Sequence, residues 1–575
     1  MANLSIASPV PARSLPVESG RLVLWGAILA TALIVLPPLL YLLDTSLTVQ
    51  RTGTPPHLGW DNYAYVFRLS GWRLWRTSLI YAATSSALAI LLGVASAWLV
   101  ARTDAPGRGL AIVSAYLSLA TPVIIKGIGW ILLLGPNKGV VNELLRALFG
   151  TDGVPIELFS LGGMILLESI LWMPVVLLLT MPSLSSMDPA LEEAAATSGA
   201  GRVRVFARVT LPLAAPAILS ILLLTFIRAL ESFEVPLLIG VPGNLQTFTT
   251  AIFQTIRRGF VPRYGESSAY AVLLILAMAI PLLLYYRTTR EAQRFATISG
   301  KGFRPSRIAL GRWRWPAGLF LLLMPATLLA PLAILLWASF LPLYQPPSWA
   351  DLGKLTLENY AEVLSRPLTV DGLRNGILVS GLSATAVTLF TFLLAWLVVR
   401  RRDSLRWSLD LLGSLPLVLP GVVLGTALLI EFLTLRFLPI YGTIWIMVIA
   451  FLIRFMPYGL RFNQAGISAI GKELEESART AGAPTLSMLR RIVLPLALPS
   501  LLAIWIYVFL YSIRDLSLPV LLAGPQNQLI AVVMLDLWND GKIPQVGALS
   551  ILLAVTVSLL GWFLMRLGRS GNRPL

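Results

Sequence analysis

Ionisable side chains occur inside long apolar stretches of this sequence, where a charge is costly unless it is paired or has a function. Carboxylates and guanidinium groups in such a setting can tie helices together or line a polar path for a solute, and the sequence leaves both roles open. Arg228 and Glu231 are three residues apart and can therefore pair along one helix face. The candidates for a path are Arg228, Glu231, Glu234, Arg514, Asp515, Glu168 and Glu431, and Lys126 and Arg454 lie in the same kind of setting.

The residues that several other chemistries require are missing. Without cysteine, the chain cannot form disulfides, thiolate metal sites or a cysteine nucleophile. The single histidine, His57, cannot build a multi-histidine metal site. A P-loop needs Gly, four residues and then Gly-Lys-Ser/Thr, and the nearest stretch, 299–302, fails that spacing. We therefore predict no catalytic residues, no cofactor, no metal site and no ATP binding by this chain itself.

Two polar segments share a second pattern, in which acidic and small residues precede a glycine and a later Leu-Pro pair. The first copy contains Glu192, Glu193, Ala194, Ala195, Gly199 and Leu211-Pro212. The second copy contains Glu475, Glu476, Ser477, Ala478, Gly482 and Leu494-Pro495. The spacing from the second glutamate to the glycine, and from the glycine to the Leu-Pro pair, is the same in both copies.

The local physics of these segments predicts a short helix, a sharp turn and a second helix. Asp188 is a good N-cap and Pro189 suits the first helical position. Acidic residues near a helix start interact favourably with the helix dipole, and the small residues that follow let another surface approach closely. Gly199 and Gly482 can adopt the left-handed conformation that ends a helix.

This pattern resembles the EAA loop of binding-protein-dependent importer permeases, with Val209 in place of Ile and Ser477 in place of the first Ala. In that family the loop forms a coupling helix that docks in a cleft of an ATPase subunit. The resemblance implies three partners: two separate ABC ATPase subunits, one per loop, and a periplasmic substrate-binding protein. It implies ATPase contacts by Glu192, Glu193, Ala194, Ala195, Gly199, Glu475, Glu476, Ser477, Ala478 and Gly482. An ordinary amphipathic surface helix is the alternative, but it does not explain the duplication.

The elements that must position these residues are membrane helices. Hydrophobic residues make up 56% of the 575 residues and charged residues only 13%, against about 25% charged residues in soluble domains. A soluble fold could not cover so much apolar surface. Apolar runs of about 20 residues, the spanning length, predict spans at 22–47, 77–101, 110–134, 161–182, 212–240, 268–286, 316–341, 374–399, 408–433, 442–463, 495–524 and 546–566. Prolines such as Pro122 and Pro420 are interpreted as kinks that neighbouring helices tolerate.

The two halves of the chain resemble each other. Asn62-Tyr63 returns as Asn359-Tyr360, and Ala97-Trp98 returns as Ala395-Trp396. Six spans per half make the repeats parallel, related by an axis along the membrane normal. We predict an all-α membrane protein with about twelve transmembrane helices in two parallel six-helix repeats, the fold of type I ABC importer permeases. The predicted division is a first repeat at 1–286 with its coupling loop at 188–212, a basic linker at 287–315, and a second repeat at 316–575 with its loop at 471–495.

The chain has a net charge of +17, and its basic residues are distributed as the positive-inside rule expects. The charge therefore does not indicate a nucleic-acid partner. Basic residues concentrate in the linker, just after residue 399 and near the C-terminus, and these segments fall on one side of a twelve-span topology. We predict that this side is the cytoplasm. The chain is then a multi-pass protein of the bacterial inner membrane, surrounded by the lipid bilayer, with both termini cytoplasmic.

Equivalent positions in the two repeats suggest a gate. Aligning Gly199 with Gly482 places Glu231 opposite Arg514. In the resembling family the helices that follow the coupling loops line the central pathway, so Glu231 and Arg514 can pair across the pseudo-twofold axis and close it. The alternative is local pairing, Glu231 with Arg228 and Arg514 with Asp515, which gives no gate.

The sequence is compatible with several substrates. Two fused permease units resemble the iron(III) importer permeases, which makes iron(III) the first expectation. Thiamine importers share the fused form, and phosphonate, polyamine and sulfate importers have related subunits. Ferric iron prefers hard oxygen ligands, but intramembrane glutamates fit a cationic organic substrate as well. A secondary transporter would share the repeats and the buried charges, yet it has no use for two coupling loops.

Overall fold

Long α-helices account for most of the chain, as expected where a bilayer offers the backbone no hydrogen-bond partner. The computed structural model describes residues 17–50, 55–150, 153–187, 189–257, 261–294, 308–401 and 403–570. Asp188 and the stretch 299–302, which the sequence singled out, lie outside these ranges. Two short strands, β1 (Thr48–Val49) and β2 (His57–Leu58), pair antiparallel after the first helix.

Twelve α-helices form the first half of the described chain. They are α1 (Val17–Leu47), α2 (Asp61–Leu69), α3 (Gly71–Arg102), α4 (Arg108–Ala120), α5 (Val123–Leu134), α6 (Val140–Phe149), α7 (Leu161–Ser185), α8 (Pro189–Thr197), α9 (Arg202–Val205), α10 (Leu211–Leu230), α11 (Phe248–Arg257) and α12 (Tyr264–Arg294).

Thirteen α-helices form the second half of the described chain. They are α13 (Arg314–Leu321), α14 (Leu323–Ser339), α15 (Glu358–Ser365), α16 (Pro367–Arg400), α17 (Leu405–Ser414), α18 (Gly421–Thr434), α19 (Ile444–Ser468), α20 (Lys472–Thr480), α21 (Thr485–Met488), α22 (Leu494–Ser512), α23 (Pro519–Leu522), α24 (Ile530–Asn539) and α25 (Ile543–Ser570).

The number of spans agrees with the sequence prediction. Among the described residues, ten helices are long and apolar enough to cross a membrane, and the number is twelve if two sharply bent helix pairs each count as one span. The predicted all-α membrane fold is therefore confirmed.

The third span predicted in each half, 110–134 and 408–433, is wrong as a continuous helix. The helix direction bends by 112° between α4 and α5, and by 106° between the helical segment 405–418 and α18. Pro122 and Pro420 stand immediately before α5 and α18 with extended ψ values of 139° and 147°. Each proline lacks an N–H group and cannot continue the preceding helix, so each span is broken there and not merely kinked as the sequence predicts.

The fifth predicted spans, 212–240 and 495–524, extend too far. α10 ends at Leu230 and α22 ends at Ser512. A new helical piece begins at Pro236 in the first half and at the equivalent Pro519 in the second, because a proline fits the first position of a helix but not its interior. The charged residues that follow α10 and α22 therefore lie in breaks of the helix.

The first span of each half, which is α1 in the first half and includes α14 in the second, packs against the other half. α1 contacts α17 and α18, and α14 contacts α4 and α5. Arg21 of α1 also pairs with Asp403, between α16 and α17, at 3.2 Å. The backbone N–H of Leu405, together with Arg21, holds the pKa of Asp403 below its usual value. The two repeats thus form one packed body, and their shared core includes Ile128 and Leu335.

The repeated Asn-Tyr pair binds the backbone where α1 and α14, the helices of each half's first span, end. Nδ2 of Asn62 donates to the carbonyls of Ser46 and Thr48, and Nδ2 of Asn359 donates to those of Ser339 and Leu341, at 2.8–3.0 Å. The hydroxyls of Tyr63 and Tyr360 bond to the hydroxyls of Ser46 and Ser339 at 2.9 and 2.8 Å. This pair therefore satisfies backbone groups that the ends of α1 and α14 leave open.

Candidate functional site

The two coupling segments have the same helix–turn–helix form. α8 ends at a turn containing Gly199, with φ of +84°, and α20 ends at a turn containing Gly482, with φ of +79°. The N–H of Ala200 donates to the Ala195 carbonyl at 3.1 Å, and the equivalent bond in the second copy, from Ala483 to Ala478, is 3.0 Å. These six-to-one bonds with a left-handed glycine form a Schellman motif, so both glycines have the conformation predicted for them.

The first glutamate of each segment points into the protein. Glu192 pairs with Arg102, the last residue of α3, and the two side chains are 10% and 0% exposed. Glu475 pairs with Arg400, the last residue of α16, at 2.6 Å, and these side chains are 5% and 8% exposed. The sequence assigned Glu192 and Glu475 to the ATPase contact, but the structure directs both carboxylates toward the chain's own spans.

Each buried carboxylate has one further hydrogen-bond donor. The hydroxyl of Thr210 donates to Glu192 at 2.6 Å, and the indole N–H of Trp396 donates to Glu475 at 3.2 Å. Arg102 and Arg400 are not among the candidate site residues that the sequence indicates. The one signal available was that each arginine closes its repeat's second span, four residues after the repeated tryptophan.

The exposed residues of the segments lie around the turn. Ala194 and Gly199 are exposed in the first copy, and Glu476, Ser477 and Gly482 in the second, while Ala195 and Ala478 are half-buried. The side chain of Glu193 lies outside the described part of the structure. Both turns lead into short π-helical segments, Phe206–Thr210 and Leu489–Val493, directly before the Leu-Pro pairs.

A charge in the last turn of α10 bridges the two halves. Arg228 pairs with Glu231, and its guanidinium also donates to the hydroxyl of Tyr458 in α19. In the second half, the guanidinium of Arg514 lies 3.8 Å from the centre of the Tyr511 ring. Glu231 therefore takes the local partner that the sequence offered as the alternative, and the described residues show no Glu231–Arg514 pair.

Asp515 pairs with Arg454 of α19, at 3.3 Å, and not with its neighbour Arg514. Arg454 also donates to Ser517 at 2.7 Å. Gly421 leaves the space for this guanidinium, since a Cβ there would lie 2.0 Å from Nη1 of Arg454. Arg454 thus joins α19, the start of α18 and the segment that follows α22.

The first half makes a related connection with different residues. Glu168 of α7 accepts hydrogen bonds from Ser232 and from Trp172, both at 3.1 Å. Ser232 and Asp515 occupy equivalent positions in the two repeats. Side chains of α7 and α19 therefore hold the segments that follow α10 and α22, which is the helix-tying role that the sequence left open.

The remaining intramembrane charges have varied settings. Nζ of Lys126 donates to the carbonyl and hydroxyl of Ser118, at 2.9 and 3.1 Å. Ser118 is the residue whose carbonyl the missing N–H of Pro122 would otherwise bind. Glu234 is half-buried and lies between the end of α10 and Pro236. Oε2 of Glu431 is buried and has no hydrogen-bond partner among the described residues, and those residues include no group of three or more Asp, Glu or His side chains arranged to hold a metal ion.

A bundle of interlocked repeats, two matching helix–turn–helix segments and a charged centre define a membrane permease built from two units. The chain belongs to the family described as the binding-protein-dependent transport system inner membrane component, whose sequence profile matches residues 89–291 and 378–570. The two matched regions include both coupling segments and the charged residues between α10 and α11 and after α22.

Among curated relatives, the ferric transport system permease protein FbpB of Actinobacillus pleuropneumoniae is 28% identical over 455 residues, 78% of this chain and 64% of that protein. The putative ferric transport system permease protein FbpB 1 of Haemophilus influenzae is 29% identical over 415 residues, 70% of this chain and 62% of that protein. The chain thus spans just under two thirds of the length of these two relatives. The molybdenum transport system permease protein ModB of Escherichia coli K12 is 31% identical over 216 residues, 36% of this chain and 89% of that protein.

Proposed function

We propose that this chain is the permease subunit of an ATP-driven importer that receives its substrate from a periplasmic binding protein. The observation that carries the proposal is the duplicated coupling segment. Gly199 and Gly482 form the same turn at equivalent places, and Glu192 and Glu475 are fastened to equivalent arginines. A surface helix without a partner has no need of this matched construction.

Two copies of the segment favour two ATPase subunits, one for each half. The exposed small residues around each turn suit close docking against another protein, and Leu486, just past the second turn, is 77% exposed. ATP would be hydrolysed by those separate subunits, since the chain has no P-loop. The permease would act by conformational change, and we propose no catalytic role for its own residues.

Iron(III) is the substrate that we propose. Two of the relatives above are named as ferric transport permeases, and acidic groups occur among the pathway candidates. Most of these groups are engaged with protein partners, as Glu168, Glu231 and Asp515 are. Carboxylates that already have protein partners suit the passage of an ion better than its tight binding. Molybdenum, the substrate in the name of the shorter relative, and thiamine, phosphonate, polyamine and sulfate are the alternatives.

We propose the bacterial inner membrane as the location, with both termini and the coupling segments in the cytoplasm. Support comes from Arg102 and Arg400, since they place the coupling segments at the ends of α3 and α16. The basic run 400–402 begins at the same end of α16. A cytoplasmic position for positive charge is the usual arrangement in membrane proteins.

The decisive experiment is purification of the tagged chain from its native membrane, with identification of the proteins that accompany it. An importer permease is expected to bring an ABC ATPase at two subunits per chain, and the ligand of its binding protein identifies the substrate. Radiolabelled iron uptake into proteoliposomes containing the complex should then require both ATP and the loaded binding protein. Uptake driven by an ion gradient without any ATPase would instead establish a secondary transporter.

A further inference from the structure

Both coupling helices are fastened to a span that is distant from them in sequence. α8 follows α7 in the chain, yet its Glu192 pairs with Arg102 at the end of α3. α20 follows α19, yet its Glu475 pairs with Arg400 at the end of α16. The same connection therefore occurs in both halves, made by the same pair of residue types.

Each arginine also holds the entry to its coupling helix. Nη1 of Arg102 is 3.4 Å from the carbonyl of Met187, and Nη2 of Arg400 donates to the carbonyl of Ile470 at 2.8 Å. Met187 and Ile470 occupy equivalent positions just before α8 and α20. A planar guanidinium can hold a carboxylate and a carbonyl together, so the helix is fixed at two points relative to the span.

Burial of these pairs is difficult to explain by stability alone. All four side chains are at most 10% exposed, and a buried ion pair is often no more stabilising than well-packed apolar residues of similar volume. The third partner differs between the halves, Thr210 in one and Trp396 in the other. The common element is the connection between coupling helix and span.

We propose that Arg102 and Arg400 are positioning residues for energy coupling. Each makes its coupling helix and the adjoining end of α3 or α16 one rigid unit, so a displacement that the ATPase imposes on the helix reaches that span. α3 packs along α10, and α16 packs along α22, so the displacement continues to the two helices that end at the charged centre. This inference rests on the proposed function.

The test uses the full-length chain with its copurified ATPase and its binding protein in proteoliposomes. Arg102→Met and Arg400→Met should still bind the ATPase, but the amount of substrate transported per ATP hydrolysed should fall about tenfold, a typical size for coupling between sites. Arg102→Lys keeps the positive charge but lacks the planar guanidinium that can bind the carboxylate and the carbonyl together, so it should lose part of the coupling. Arg461→Met is the matched control, because it removes the Arg461–Asp410 pair of the same half as Arg400, in which the arginine side chain is 55% exposed, and its coupling should be unchanged.

The double variant Arg102→Met/Glu192→Met separates positioning from stability. Removing both charges should restore the unfolding temperature that Arg102→Met lowers, since no unpaired buried carboxylate remains, but it should not restore coupling. Recovery of coupling together with stability, or an equal loss in Arg461→Met, would overturn the inference. Failure of the unmodified chain to bind any ATPase would overturn the proposed function as well, and is seen before any variant is made.

Discussion

The guanidinium of Arg228 in the first half donates a hydrogen bond to the hydroxyl of Tyr458 in the second half. The carboxylate of Glu231 holds the same guanidinium in place. The contact joins the end of α10 to α19, so it connects the two repeats beside the charged residues that follow α10. A cross-half contact therefore exists close to where the sequence suggested a gate, but it is made by a different pair of residues.

Replacing Tyr458 with Phe removes this contact while keeping the ring. If this contact is a gate that exists only in the closed state, its loss should reduce the population of that state about tenfold or more relative to the open one, because a hydrogen bond to a charged group is worth about 1.5–3 kcal/mol. ATPase activity without binding protein should rise by a similar factor, and proteoliposomes should leak. Tyr65→Phe is the control, because the Arg263–Tyr65 hydrogen bond lies within the first half alone. Equal effects of the two variants would argue against a gate.

Replacing Gly199 and Gly482 with Val should uncouple transport from ATP hydrolysis. Both glycines have left-handed backbones, a conformation that costs other L-residues about 1–2 kcal/mol and β-branched residues more. The turn should rearrange while the protein remains inserted, and substrate-stimulated ATPase activity measures the loss. Gly201→Val serves as the control, since Gly201 has open space and no left-handed φ. Unchanged coupling in the double variant would count decisively against the assignment of these segments.

Replacing Gly421 with Ala should destabilise the second half. The new Cβ would lie 2.0 Å from Nη1 of Arg454 and 2.2 Å from the hydroxyl of Ser517, so Arg454 must move away from Asp515. Overpacking of this kind costs about 1–3 kcal/mol, which should lower the unfolding temperature in detergent by several degrees. Gly381→Ala, in open space on α16, should leave that temperature unchanged or slightly raised. A wild-type unfolding temperature for Gly421→Ala would show that Arg454 does not need this space.

Replacing Lys126 with Met tests whether its charge is structural. Without the ammonium group, the Ser118 carbonyl at the break between α4 and α5 loses its donor, at a cost of about 1–3 kcal/mol. We expect a lower unfolding temperature and an unchanged dependence of transport on substrate concentration. Altered substrate dependence at normal stability would instead place Lys126 on the pathway.

Reporter fusions test the proposed orientation. A cytoplasmic reporter should be active after residue 300, in the basic linker, and at the C-terminus, because positive segments stay on the cytoplasmic side. A fusion between β2 and α2 should behave as periplasmic. Periplasmic activity at either basic site would contradict the topology.

Much of this architecture follows from local sequence. Hydropathy locates the spans, and the repeated glycine locates both turns, because a left-handed residue is a strictly local requirement. Hydropathy cannot distinguish a kink from a break at Pro122 or Pro420, since the sequence on both sides of each proline is predominantly apolar. The size of the bend at each proline depends on how the two parts of the span pack against the surrounding helices.

The partners of the charged groups depend on contacts that the sequence does not encode locally. Glu192 and Glu193 are neighbours in one short helix, and adjacent helical residues point in different directions. The inward direction of Glu192 is set by Arg102, ninety residues earlier. Arg228 likewise finds Tyr458 in the other repeat, and nothing near either residue in the sequence indicates that contact.

The exchange of first helices has a consequence for biosynthesis. α1 is synthesised before α17 and α18, yet these helices of the second half cover part of its surface, while α12 of its own half covers another part. Until the second half is synthesised, the surface of α1 that packs against α17 and α18 has no protein partner. The surface of α4 and α5 likewise has none until α14 is inserted. If the two halves were separate polypeptides, they would have to assemble before either was degraded by proteolysis. Joining them in one polypeptide supplies both in equal number at the same place in the membrane.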